Sequence, residues 1–318
     1  MKAAIVVEAG QPPIYGDFKE AVAGDGEVRV KIVAAALSPV VKSRASGRHY
    51  SATGSLPFVV GIDGVGLLED GQRVYFALPR SPFGSMAESS VVRAAQCIRL
   101  PEALDDVTAA AIANPGMSAW AAMKERAKLV AGETVLINGA TGTAGRLAVQ
   151  IAKYLGAKKV IATGRNRQAL QALQAIGADV VIPLGDDRQM MEAAFQQQFA
   201  AGVDVVVDYL WGQSAELLII AAARAGQEAV PVRFIQVGSA SGEDIQLPSA
   251  ALRSSALVLM GSGIGSIPPE RLFASIGEVL QAAVPGRFEI AVETAALSTV
   301  AENWTRESAM PRLVLTMG

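Results

Sequence analysis

Three glycines, Gly139, Gly142 and Gly145, recur with two residues between them in the stretch TVLINGATGTAGRLAVQIAKYLGAKKVIATGRN, residues 134–166. Glycines at this spacing permit a tight turn, a close backbone approach to a ligand and close helix–strand packing. The backbone N–H groups that open a helix have no partners inside it and carry the positive end of its dipole, so a pyrophosphate satisfies both. A glycine-rich turn without a ligand is the bland alternative. What precedes and follows the turn favours the ligand reading, because strand, turn, helix and strand come in that order. Residues 134–138 are a short apolar run suited to a strand buried on both faces. Leu147, Ala148, Ile151 and Leu155 then share one helical face, opposite Lys153 and Tyr154, and Gly156 stands at a C-cap position. A second apolar run follows at 160–163.

The end of that second run selects the cofactor. An NAD site usually places a carboxylate about 20 residues past the glycines to accept from the ribose hydroxyls. Here the run ends in Gly164, Arg165, Asn166 and Arg167, with no acid. Arg165 offers a fork that a 2′-phosphate can accept from, whereas a carboxylate would repel that phosphate. The cofactor expected is NADPH; an ordinary solvated arginine at a helix start is the alternative.

The elements that must position these residues fall into two textures. Residues 1 to about 100 are β-rich, with strands expected at 2–7, 27–36, 73–77 and 87–92 and an ambiguous helical turn at 38–47. Gly61, Gly64 and Gly66 suggest one strongly bent strand over 58–68. Many short strands with Gly and Pro between them argue for a small barrel-like domain. From Asp105 the chain turns Ala-rich and helical, with a break expected at Asn114-Pro115-Gly116 and a second helix over 118–126. Strands at 179–182, 203–209, 233–237 and 256–260 join the two flanking the glycine turn, as a doubly wound parallel sheet requires. After Ile264 come a helix to about residue 283, a strand at 288–292, a helix at 298–307 and a strand at 312–316. This tail is expected to return to the first domain. The expected division is 1–115, 116–264 and 265–318.

Composition narrows the function classes. The 318 residues are 51% hydrophobic and 18% charged, which suits two folded domains rather than a disordered chain. A net charge of −2 without a basic run gives no pull towards nucleic acid or an anionic membrane. Cys97 is the only cysteine, so neither an intrachain disulfide nor a Cys-rich zinc site can form. It falls in an expected strand at 94–100 and reads as a small hydrophobe rather than a nucleophile. Glu8 interrupts any signal-peptide core, and the uncharged stretch 107–123 contains Asn114, Pro115 and Gly116, so a cytoplasmic protein with no membrane span is expected.

Taken together, EVRVKIVAAALSP, GIDGVG, AAAIANPGMSAW, GATGTAG, DVVVDYL and QVGSASG, in that order along nearly the whole chain, resemble the medium-chain dehydrogenase/reductases. The branch is the zinc-free quinone oxidoreductase (zeta-crystallin-like) one. The resemblance implies a GroES-like β-barrel domain beside a Rossmann domain, NADPH in the cleft and often a homodimer. It implies that Gly139, Ala140, Thr141, Gly142, Thr143, Ala144 and Gly145 line the pyrophosphate, and that Gly164, Arg165 and Asn166 hold the 2′-phosphate end. Asp208 and Tyr209 would approach the adenosine half, and Val237, Gly238 and Ser239 the nicotinamide. Gly261, Ser262 and Gly263 would lie near the cleft, with Asn114 and Ser118 on a segment running past the nicotinamide. Ser38 and Val41 stand where the family has an asparagine and an aspartate. Tyr50, or His49 if the loop is one residue longer, falls near its substrate-facing tyrosine. Around 38–49 and Asp63, where zinc-dependent relatives carry Cys and His ligands, only His49 occurs.

The expected reaction is metal-free hydride transfer from NADPH to a quinone or an α,β-unsaturated carbonyl. Ser38, Tyr50 and Asn114 are the candidates to hydrogen-bond the developing oxyanion, with the proton coming from Tyr50 or water. Two other readings stay open: an NADPH-binding sensor or interaction protein without turnover, and a ketone or aldehyde reductase. An apolar strand at 256–260 is a candidate dimer edge.

Overall fold

The computed structural model describes residues 1–47, 56–306 and 311–317. The chain divides into two units, Met1–Asn114 with Ile276–Gly318, and Pro115–Ser275. Tyr50 and His49 lie outside the described residues.

In the second unit six strands pair in parallel. They are, in chain order, Thr134–Asn138, Lys159–Gly164, Val180–Pro183, Val205–Asp208, Val232–Gln236 and Leu257–Gly261. Their order across the sheet is third, second, first, fourth, fifth, sixth, so the strand order reverses at the first strand, the one carrying the glycine turn. Ligands in such sheets bind beyond the carboxyl ends of the strands at this reversal. The inner strands are apolar on both faces because helices cover both, and Val135, Leu136 and Ile137 are all fully buried. One core gathers Leu136, Ile161 and Val206 from the sheet with Phe195, Phe199, Leu217 and Leu218 from two helices.

The first unit carries two antiparallel-rich sheets. Glu27–Ala36 is its central strand, pairing with Asp63–Leu67, Ser89–Arg93 and the late strand Arg312–Thr316. The tail therefore completes the sheet begun by the N-terminal part. A helix, α1 (Pro39–Ala45), follows the central strand, with Pro39 at its favoured start.

Three local expectations need correction. The single bent strand over 58–68 is two strands in different sheets, Phe58–Val59 and Asp63–Leu67. The chain turns between them at Gly61, in the left-handed region at φ +105°, where a Cβ would lie 2.2 Å from the Ser85 hydroxyl. The helix break at 114–116 does not occur: α2 (Asp106–Trp120) runs through Pro115 and widens into a π-helical stretch, Ala121–Arg126. Ala109–Ala113 are fully buried, and this packing outweighs the bond lost at proline. The widening is closed by the Ala127 N–H donating to the Ala122 carbonyl at 2.8 Å. Finally, the strand expected at 288–292 is Val292–Ala296, because Phe288 N–H still closes the preceding helix onto Ala283 O at 2.9 Å.

Candidate active site

The glycine turn sits at the carboxyl end of the first strand of the parallel sheet, between Thr134–Asn138 and α3 (Thr143–Tyr154). Each glycine has a different physical reason. Gly139 is left-handed at φ +87°. Gly145 packs so closely that a Cβ would lie 2.4 Å from Gly139 O and 2.6 Å from Ala140 Cα. Gly142 is the N-cap, with no side-chain capping bond, and a Cβ there would meet nothing closer than Gly139 O at 3.9 Å. The N-cap position thus carries no side chain on its exposed side, which leaves room for a phosphate at the helix start. Thr141 folds back over Gly164, where a Cβ would come within 2.4 Å of its methyl group. Ala140 is fully buried, so only its backbone can face a ligand.

A buried polar network braces this turn. The Thr163 hydroxyl donates to Asn138 Oδ1 at 2.6 Å and accepts from Gly139 N–H at 3.1 Å. Asn138 Nδ2 donates to Asp208 Oδ1 at 2.7 Å and to Ser214 Oγ at 2.9 Å. Asp208 in turn accepts from the backbone N–H groups of Leu210 and Trp211 at 3.0 and 3.1 Å. Burial pushes the Asp208 carboxyl above its ordinary value against these bonds. The network ties the ends of the first, second and fourth strands together, so the turn is rigid before any ligand arrives. Asp208, expected to approach the adenosine half, is fully buried with its carboxylate engaged in this network. Asn138, Thr163 and Ser214 were not singled out from the sequence; polar residues ending apolar strands were the available signal.

At the end of the second strand Arg165 is exposed and takes part in no ion pair among the described residues. Asn166 caps the next helix by accepting from Ala169 N–H at 3.0 Å. An unpaired fork beside the glycine turn fits a phosphate monoester, and the cradle fits a pyrophosphate, so the residues present suit NADPH.

The other expected cofactor residues lie on the carboxyl ends of neighbouring strands. Val237 and Gly238 follow the fifth strand and both donate to Asp208 O, at 2.8 and 3.1 Å. Ser239 beyond them is exposed. Gly261 ends the sixth strand, its carbonyl accepting from Arg126 Nε at 2.7 Å, and Ser262 N–H donates to Gln236 O at 2.9 Å. Gly263 N–H donates to Ser266 Oγ at 2.8 Å, closing a small exposed loop. Ser118 gives its proton to Pro115 O at 2.8 Å, and burial beside it pushes the Tyr209 hydroxyl well up.

In the first unit, Ser38 is buried and caps α1, its Oγ accepting from Val41 N–H at 3.3 Å. Val41, where the family has an aspartate, is buried. Asn114, half-buried, lies beside a buried polar cluster in which the Asp63 carboxylate accepts from Tyr75 at 2.8 Å, and its amide favours the charged form of Asp63. Burial raises the Asp63 carboxyl, opposed by these bonds and by the charge of buried Arg312. Burial likewise pushes the Cys97 thiol up to about 11, as expected of a packed rather than a nucleophilic cysteine.

Among the described residues no cluster of three or more His, Cys, Asp or Glu could hold a metal, and no helix is long and apolar enough to cross a membrane.

A family model described as zinc-binding dehydrogenase matches residues 144–282, a span that excludes Cys97 and His49. Over 348 aligned residues the chain is 28% identical to a probable NADPH-dependent quinone reductase of Emericella nidulans, covering 96% of this chain and 97% of that one. It is 33% identical over 171 residues to the quinone oxidoreductase of Homo sapiens, covering 50% of this chain and 51% of the human one. A solved mycobacterial quinone oxidoreductase superposes with a TM-score of 0.85 at 21% identity, covering 99% of both chains.

Proposed function

We propose that the chain, similar to quinone oxidoreductases of the zinc-free medium-chain dehydrogenase/reductase branch, is an NADPH-dependent reductase of quinones or α,β-unsaturated carbonyls. The observation that carries this reading is the glycine cradle: an uncapped helix start held rigid by a buried network, with an unpaired arginine at the end of the neighbouring strand. The relative matched over nearly its whole length is named for NADPH and for quinone reduction, and both transfer well onto these residues.

Bound NADPH would supply the hydride. In this reading the backbone from Gly139 to Gly145 holds the pyrophosphate, and Gly164, Arg165 and Asn166 hold the 2′-phosphate. Thr141, Thr143 and Ala144 shape the cradle, while half-buried Ser118 and the buried hydroxyl of Tyr209 lie near the fourth strand's end. Val237, Gly238, Ser239, Gly261, Ser262 and Gly263 supply the floor on the neighbouring strand ends. Asn114, beside Asp63, and Ser38 are the groups assigned to the oxygen on which negative charge develops, with Tyr50 as a third. Oriented donors of this kind contribute by preorganisation rather than by proton transfer. The oxygen of a quinol or enolate can take its proton from solvent.

The cytoplasm is the compartment we assign, and a homodimer the assembly. The sixth strand is the open edge of the parallel sheet, and Val258 on it is 42% exposed, which leaves an apolar edge for a second copy. Sedimentation velocity over a concentration series tests the dimer; a monomer throughout removes it.

The activity is tested by following NADPH oxidation with a panel of quinones and enones while identifying the product. Stoichiometric oxidation giving quinol or saturated ketone is expected. Tight NADPH binding without turnover on any panel member would favour the sensor reading instead, and an alcohol product would favour carbonyl reduction.

A further inference from the structure

Within the first unit, α1 delivers a second feature that the cofactor site does not use. A cavity of about 380 Å³ opens beside this helix, within the range of small-ligand pockets. Its lining side chains are mostly apolar, with Phe58, Val60 and Ile62 and, from α1, Val41 and Ala45, while Arg44, Ser81 and main-chain groups make up nearly half of the exposed wall. Leu56 and Leu78 stand on its rim, 44% and 42% exposed, large apolar side chains left partly in water. Leu78 is moreover held in the left-handed region at φ +57°, a conformation that a branched residue adopts only under constraint from its surroundings.

The one charged side chain among the described lining residues is Arg44. It is half-buried and takes part in no ion pair among the described residues. Burial with no opposing acid holds its guanidinium below the ordinary value. Lys42, on the same helix, is already satisfied by the carbonyl of Arg306. The carboxyl end of α1 offers Arg44 partial compensation through the helix dipole, an effect confined to the last turn. A partly desolvated cation with no acid beside it among the described residues lacks the counter-charge that such groups normally find.

We propose that this cavity is a binding site for a small apolar monoanion: a carboxylate on an aromatic or branched hydrocarbon body, the carboxylate on Arg44 and the body against Phe58, Val60, Ile62 and Leu78. A neutral ligand of the same shape would fill the walls but leave the guanidinium unpaired. A polyanion would carry more charge than the one guanidinium among the described lining residues can pair. The planar fork of arginine suits a carboxylate bidentately, which a lysine at this position would not match.

The probes are 2-naphthoate and its neutral isostere 2-naphthamide, titrated by calorimetry into the full chain without NADPH. The site is thereby tested whether or not the cofactor reading holds. Saturable 1:1 binding of naphthoate, at least tenfold tighter than the amide, is expected for the wild-type chain. Arg44→Gln should abolish that preference and Arg44→Lys should recover only part of it. A melting temperature unchanged in both variants shows that the fold is intact. Absence of saturable naphthoate binding, equal binding of acid and amide, or an undiminished preference in Arg44→Gln would each overturn the assignment.

Discussion

Replacing Gly142 and Gly145 by alanine one at a time should separate what the glycine turn does for the fold from what it does for the ligand. At position 145 the added Cβ falls 2.4 Å from Gly139 O and 2.6 Å from Ala140 Cα, both backbone atoms. Restoring an ordinary contact of 3.4 Å or more requires α3 to withdraw by roughly 1 Å from the strand it packs on. Overpacking of this kind costs about 1–3 kcal/mol. The better helix propensity of alanine returns up to about 1 kcal/mol of that. Because both clashes are with backbone, the cost lies in the upper part of that range, and a net loss of about 1–2 kcal/mol lowers the melting temperature of a unit of this size by roughly 2–8 °C. At position 142 the backbone is extended at φ −77° and ψ 167°, and the nearest atom to a new Cβ is 3.9 Å away. Gly142→Ala should therefore shift stability by no more than about 1 kcal/mol. Its methyl group stands in the cradle, however, and displaces a phosphate from the N–H groups of the first turn. Loss of one charge-assisted bond, worth about 1.5–3 kcal/mol, weakens NADPH ten- to about a hundredfold. Differential scanning fluorimetry reads the first effect and an NADPH fluorescence titration the second. The reasoning fails if Gly145→Ala melts with the wild type, or if Gly142→Ala binds NADPH undiminished.

Two further predictions follow from buried titrating groups. The Asp63 carboxyl is raised by burial, so the native chain binds its proton more tightly than the unfolded chain does. That contribution is fully present below the ordinary carboxylate pKa of about 4 and is lost as pH rises through the raised folded value. Asp63→Asn carries no such titration, so in urea melts its deficit against the wild type should narrow from pH 4 to pH 7; a widening deficit would contradict the shift. The Cys97 thiol at about 11 rather than 9.0 leaves roughly a hundredfold less thiolate at pH 8. Its reaction with a disulfide reagent should be slower than that of free cysteine by about that factor and should speed up in denaturant; a native rate matching free cysteine would refute its packed setting.

Much of this is legible in the sequence. The order of parts around the glycine turn follows from periodicity, and the parallel strands lie within a few residues of where apolar runs place them, because strands covered on both faces have little polar sequence to blur them. The strand at Arg312–Thr316 lies where the pattern puts it. The bent strand over 58–68 was misjudged because glycines mark bends without saying whether the chain stays in one sheet. Pro115 marks a helix end by residue type alone, and only tertiary packing around Ala109–Ala113 shows why the helix continues. Within the site, the cradle and Arg165 were visible as residue types at a spacing. The network of Asn138, Thr163, Asp208 and Ser214 was not, because its partners lie up to 76 positions apart and meet only when the sheet forms. The proximity of Asn114 to Asp63, from a helix and a distant strand, was hidden for the same reason.

The central claim is that this chain holds NADPH, with Arg165 reading the 2′-phosphate. Its most direct test is a paired fluorescence titration with NADPH and NADH on the wild type and on Arg165→Ala. The account predicts a strong NADPH preference in the wild type that collapses in the variant while NADH binding stays the same. Equal binding of the two cofactors by the wild type would contradict the assignment of Arg165, and binding of neither would contradict the site itself.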